Sequence, residues 1–150
     1  TGLLKPEGRG FDLFGRPGTA YVYLIYARYW LLNVVTEPEG VGGAVLIRAV
    51  EPLEGVRLMR ERREAARRDR DLTNGPGKLT QAFDVDRRFH GHDLAAPPLF
   101  VAAGEAPGAV GRSARIGLRF GTDLPYRFFV ERHPSVSPGV PSDRARQRGR

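Results

Sequence analysis

Cysteine is missing from this 150-residue chain, and lysine, methionine and tryptophan are scarce at two, one and one. Without cysteine there is no disulfide scaffold, no thiolate-ligated zinc, no iron–sulfur cluster and no thiol nucleophile. No apolar run comes near the ~18 residues that a membrane helix needs. No cationic stretch followed by an apolar one marks the start, so neither a membrane span nor a secretory leader is expected. What is present is 41% hydrophobic and 27% charged, the balance of a folded globular chain, and the length suits a single core.

Acids are the minority charge. There are 17 of them against 24 cations, 22 of which are arginine, and the net charge is +7. The excess is uneven: +1 over residues 1–50 (5 − 4), +1 over 51–100 (10 − 9) and +5 over 101–150 (9 − 4). A basic domain points to a polyanionic partner, and arginine suits phosphate because its planar fork donates in pairs. An arginine-biased but otherwise ordinary surface would give the same composition.

Turn residues and apolar patterning divide the chain. Arg16-Pro17-Gly18 closes an irregular lead-in. Residues 20–26 and 29–36 are rich in aromatic and β-branched side chains and are separated only by Ala27-Arg28, which predicts an antiparallel hairpin with its tip near 26–29. Residues 44–50 form a third, buried-looking strand, and 99–103, 114–118 and 126–130 are further strand candidates. Residues 54–70, with seven Arg against four acids, are expected to be one helix, and 77–83 a short second one. The expected fold class is α+β: one domain over residues 1–137 on a mainly antiparallel, curved sheet with a protruding hairpin and flanking helices. Residues 138–150 are Pro, Ser, Gly and Arg, cannot bury a core, and are expected to be a disordered basic tail.

Several side chains sit where the local pattern does not ask for them. Tyr26, Arg28, Tyr29 and Trp30 crowd the hairpin tip, where turn residues belong. An aromatic on a protruding turn can wedge between stacked bases while a neighbouring cation neutralises phosphate; the alternative is that these residues pack the end of a sheet. Arg48 lies among Val45, Leu46, Ile47 and Val50, so its guanidinium needs an acceptor, either a ligand or a structural acid such as Glu51. Asn33 is an amide in an apolar strand that could read a ligand edge or satisfy backbone. Asn74-Gly-Pro-Gly-Lys78 fails the Walker pattern, but with Asn74 as cap it could offer first-turn amides and a lysine to one phosphate. His90-Gly-His-Asp93 is a weak metal-site pattern without a third rigid ligand, and solvated loop residues are the expected reading.

Taken in order, several segments resemble the alkyladenine type of 3-methyladenine DNA glycosylase. They are Leu13-Phe-Gly-Arg-Pro-Gly-Thr-Ala-Tyr-Val-Tyr-Leu-Ile-Tyr26, Leu32-Asn-Val-Val-Thr36, Val45-Leu-Ile-Arg-Ala-Val-Glu-Pro-Leu-Glu-Gly55, Leu72-Thr-Asn-Gly-Pro-Gly-Lys-Leu79, Gly91-His-Asp-Leu94, and Arg115-Ile-Gly through Arg127-Phe-Phe-Val130. The resemblance covers residues 13–137. It implies a monofunctional enzyme that bends duplex DNA, flips an alkylated or deaminated purine and hydrolyses its N-glycosidic bond, with neither metal nor cofactor. It implies that Tyr26 fills the gap in the stack, that Tyr23, Asn33 and Leu46 form the base pocket, and that Arg48 and the Ile116 backbone carbonyl hold the attacking water. Arg28 and Lys78 would face DNA phosphates. The partner would be double-stranded DNA with damaged purines, the protein a monomer, and its place the bacterial cytoplasm at the nucleoid.

The departures carry equal information. The family's general base is a Glu in a Glu-Thr-Glu-Ala-Tyr-like segment well before the hairpin, and nothing in residues 1–20 matches it. Glu7 has no aromatic neighbour to make it a substitute. Ala27 stands where Gly is usual, and Arg28 where small or sulfur-containing residues are commoner. The expectation is therefore a glycosylase-like domain without its general base, either an N-terminally incomplete piece of an enzyme or a degenerate member. A noncatalytic nucleic-acid-binding module is the alternative class, and an RNA-binding accessory domain a more distant one.

Overall fold

Alternation of side chains along residues 20–35 is what builds the main sheet. The computed structural model describes residues 12–116 and 124–137. The chain divides into two compact units, Thr1–Ala103 and Gly104–Arg150. In the first, β1 (Ala20–Ile25), β2 (Tyr29–Val35) and β3 (Ala44–Leu46) form an antiparallel sheet in that order. The even-numbered face of the hairpin is apolar. Ala20, Val22 and Leu32 are buried there against Leu79, Val85 and Leu94, with Trp30, Val34 and Ile47 packed around them. That burial sets the register, because a slip of one residue would turn Tyr21 and Asn33 into this core.

The helix α3 (Pro76–Phe83) covers that face. Its start is fixed by Gly75 in extended conformation and by Pro76 in the first turn, where a missing N–H costs nothing. A Cβ on Gly77 would lie 3.0 Å from the Tyr29 side chain, so only glycine lets the helix start approach β2 this closely. The Thr80 hydroxyl bonds the Trp30 carbonyl at 2.8 Å and ties the helix to the same strand. On its far side Ala82 meets Met59, Ala66 and Leu72 in a second small cluster.

The long arginine-rich helix expected over residues 54–70 is not one helix. It is α1 (Val56–Arg62), an irregular stretch, and α2 (Arg70–Thr73). The run has too few apolar residues to make a stripe; Met59 and Ala66 are its buried members, and Leu72 just beyond it joins their cluster. The chain bends at Arg63, whose guanidinium donates to the carbonyls of Asp71 and Leu72 at 2.5 and 2.6 Å. Those bonds fold α2 back towards α1.

Other strand expectations shift as well. The third strand pairs only over Ala44–Leu46, with Ile47 adding one bond to the Leu32 carbonyl. Residues 99–103 form no strand, and the Val101 N–H reaches only the Leu94 carbonyl. In the second unit β4 (Val110–Ser113) pairs antiparallel with β5 (Arg127–Val130). Of the strand expected over 114–118, residues 114–116 form no strand, β4 ending just before them, and residues 117 and 118 lie outside the described residues, as do Glu7 and the basic tail from 138. The class is α+β with antiparallel sheets and a few helices, as expected, the strands being divided between two sheets. Among the described residues no helix is long and apolar enough to cross a membrane.

Candidate nucleic-acid interface and base pocket

The hairpin turn is where the sequence strains the backbone. Ile25 pairs with Tyr29, and the Arg28 N–H donates to the Ile25 carbonyl at 3.1 Å. Tyr26 and Ala27 are therefore the two central residues of a tight turn, and both have positive φ, 52° and 51°. Such a mirror-image turn matches the strand twist and is normally made by Asn-Gly or Gly-Gly. A non-glycine residue in this region costs about 1–2 kcal/mol. Tyr26 is also 85% exposed, so its ring gains little burial in return. Ala27→Gly should relieve part of the strain and stabilise the fold by about 0.5–1 kcal/mol; thermal melting checks this, and a lower Tm would contradict the turn geometry.

A cleft of about 650 Å³ opens beside this turn, lined among others by Asp12, Tyr21, Tyr23, Tyr26, Arg87 and His90. Tyr21 and Tyr23 are two apart on β1 and face the same way, with ring centroids 5.1 Å apart. Tyr23 is half-buried and Tyr21 buried. His90 lies edge-on to Tyr21 at 5.9 Å. Its Nδ1 accepts from the Val22 N–H at 3.2 Å, and its Nε2 lies 3.4 Å from an Asp12 carboxylate oxygen. The Nδ1 bond places the neutral ring's proton on Nε2, facing Asp12. The reading from sequence had picked out Tyr23 but not Tyr21, Arg87, His90 or Asp12 at this place. The Tyr-x-Tyr alternation was the available signal for Tyr21; the others arrive from distant segments.

Asn33 and Leu46 do not line the cleft, although their strand positions connect to it. Asn33 is the cross-strand partner of Tyr21 on one side and Leu46 on the other, so the three share a face. Asn33 is buried and its Nδ2 donates to the Tyr21 carbonyl at 3.1 Å. Arg48 is half-buried and lies two residues past the end of β3. Among the described residues it makes no ion pair, with Glu51 or any other acid. Ile116 lies in the second unit, half-buried.

Cations flank the tip. The Arg28 guanidinium stands 5.3 Å from the Tyr29 ring centroid and pairs with no described acid. Lys78 bonds the Asn74 side-chain oxygen at 2.7 Å, a neutral partner that leaves its charge intact. Asn74 does not cap α3, as expected from sequence; Gly75 holds the cap position and no side chain bonds there. The reason is that Asn74 is occupied on both sides, by Lys78 and by the Asp71 carboxylate at 3.3 Å.

The two histidines and the aspartate of the 90–93 loop go to separate partners. His92 Nε2 lies 2.9 and 2.8 Å from the Ala96 and Leu99 carbonyls, and Asp93 pairs with Arg16 at 2.6 Å. The Ala95 N–H and the Arg16 guanidinium hold the Asp93 carboxyl below its usual range. The loop's backbone instead covers the outer edge of β1, through Ala20 N–H to the His92 carbonyl at 2.8 Å.

Comparison with known proteins bears on this geometry. The family model for methylpurine-DNA glycosylase matches residues 5–134. A protein of Salinibacter ruber named "Putative 3-methyladenine DNA glycosylase" is 56% identical over 144 residues, which cover 95% of this chain and 69% of that protein. A protein of the same name from Rubrobacter xylanophilus is 50% identical over 127 residues, covering 83% and 65%. One from Methanocella arvoryzae is 44% identical over 135 residues, covering 87% and 68%. The chain thus spans about two thirds of the length of the curated relatives it matches.

Proposed function

The chain belongs to the methylpurine-DNA glycosylase family, and on that premise we propose that it grips duplex DNA and holds an alkylated or deaminated purine outside the stack. The observation that carries this reading is Tyr26, an aromatic ring left 85% exposed on a turn with two strained residues. In the proposal its ring occupies the gap that a flipped nucleotide leaves. Flipping costs a few kcal/mol of unstacking, least at a damaged base, and a filled gap opposes return. Arg28 and Lys78 on either side take phosphates. Tyr23 and Tyr21 offer aromatic faces to the extruded base, and an alkylated purine, being cationic, is attracted to such faces. Asn33 and Leu46, which share the strand face of Tyr21, back this wall without lining the cleft.

Hydrolysis needs a water molecule held at the anomeric carbon and a base to deprotonate it. In this reading Arg48 orients the water. A guanidinium stays protonated at any working pH and cannot be the base. The family's glutamate has no counterpart in this sequence, so the reading for the 150 residues is lesion binding without turnover. The reaction of the whole family fold would be a monofunctional N-glycosidic hydrolysis, carried out by a monomer at the nucleoid.

Tyr26→Ala tests the assignment. An exposed surface ring should cost within about 0.5 kcal/mol of stability on removal, while the preference for hypoxanthine-containing over plain duplex should vanish and salt-sensitive binding persist. Tyr23→Ala is the control and should be the more destabilising, since a fully buried aromatic loses ~3–5 kcal/mol and Tyr23 is half-buried. Melting temperatures together with binding to both duplexes decide it. If Tyr26→Ala unfolds the protein and abolishes all binding, Tyr26 is a packing residue and the proposal fails.

A further inference from the structure

The β4–β5 ribbon of the second unit turns aromatic rings outward in a way the glycosylase reading does not use. Register pairs Arg112 with Phe128 and Val110 with Val130. Tyr126, immediately before β5, is two residues from Phe128. Tyr126 and Phe128 are 60% and 59% exposed. The Arg112 guanidinium stands 4.6 Å from the Phe128 ring centroid. The acid nearest to these strands, Glu131, is on the opposite face: a Cβ on buried Gly111 would meet both Phe129 and the Glu131 side chain. Arg127 stacks on Phe129 at 4.5 Å on that side. One face of the ribbon is therefore aromatic and cationic, with no described acid on it.

From this we infer that the Tyr126–Phe128–Arg112 face binds single-stranded DNA by stacking. Each base offers a π-face, and exposed rings beside an arginine hold bases with little regard to sequence. Residues two apart on a strand are about 6.6 Å apart, close to twice the 3.4 Å rise of stacked bases, so one base fits between successive rings. The charge complements the ligand, since the described residues of this unit carry four arginines against two glutamates. Arg112 covers one side of Phe128 and supplies the cation for a phosphate or a planar surface for a neighbouring base. The ligand class is an unpaired stretch of strand, distinct from the duplex lesion that the hairpin would engage.

The experiment uses the full chain and two labelled probes at one salt concentration, oligo-thymidine and an undamaged duplex of equal length, read by fluorescence anisotropy. Phe128→Ala and Tyr126→Ala should each weaken oligo-thymidine binding at least about fivefold. Arg112→Ala should weaken it too, Phe128→Trp should restore it, and duplex binding should stay within twofold throughout. Should Phe128→Ala unfold the protein, Tyr126→Ala and Arg112→Ala read the same contact. Equal loss on both probes, no loss on either, or a Phe128→Trp variant no better than Phe128→Ala overturns the inference. So does a wild-type dimer in sedimentation that the alanine variants convert to monomer, because the face would then cover a second copy. Oligo-thymidine holds no purine to flip, so failure here leaves the lesion-binding proposal standing.

Discussion

Purified metal-free chain incubated with duplex containing hypoxanthine or 3-methyladenine should release no base at an enzymatic rate. General-base assistance contributes typically ~10²–10⁴-fold, and in the proposed reading Arg48 orients the water without a carboxylate to deprotonate it. The Arg48 guanidinium stays protonated and cannot accept the water's proton. Base release followed by chromatography under single-turnover conditions gives the measurement, with lesion binding confirmed on the same sample. Release at an enzymatic rate would show that another carboxylate serves. Asp12 would be the first to replace by Asn, because it lines the cleft with Tyr21 and Tyr23. Glu51, which is exposed, and Glu7 would follow.

Duplex binding should fall by about 10³-fold between 50 and 200 mM salt if some six phosphates are contacted, since each neutralised phosphate releases counterion. The structure gives this charge a distribution that composition could not. In the arginine-rich stretch Arg60 faces Asp69 and Arg68 faces Asp71, at 2.6 and 3.0 Å, and beyond it Arg88 pairs with Asp86 at 2.9 Å. Near the hairpin, Arg28 has no described acid and Lys78 bonds a neutral amide. Arg28 and Lys78 therefore keep their charge free for phosphate, while Arg60, Arg68 and Arg88 are partly neutralised by acids. Removing residues 143–150, with four arginines and one aspartate, should lower affinity for lesion and plain duplex alike. Affinity unchanged from low to moderate salt would reject a phosphate-dominated interface.

The hairpin, the short helix α3 and the α+β class were legible in the sequence because each rests on local information. The aromatic and β-branched density of residues 20–26 and 29–36 around a two-residue break, and the Asn-Gly-Pro break before residues 77–83, need no distant partner. The exposed tip could be suspected for the same reason, since aromatic residues stood where a turn had to be. Arg48 and Asn33 stood out locally as polar residues among apolar ones, and the family resemblance supplied their specific roles and added Leu46 and Ile116, which no local pattern announces.

Tertiary structure decided the rest, wherever an outcome depended on competition between segments far apart in the chain. The run 54–70 has helical propensity throughout, yet Arg63 bonds the carbonyls of Asp71 and Leu72 and breaks it. Asn74 has a capping side chain, yet Lys78 and Asp71 occupy it. His90, His92 and Asp93 adjoin in sequence, yet Val22, Asp12, Ala96, Leu99 and Arg16 draw them to separate places. The cleft is the same case: Asp12, Tyr21, Arg87 and His90 meet only because the 90–93 loop closes the free edge of β1. Propensity and periodicity act over a few residues, whereas hydrogen-bond partners and charges are chosen after the chain has folded back on itself.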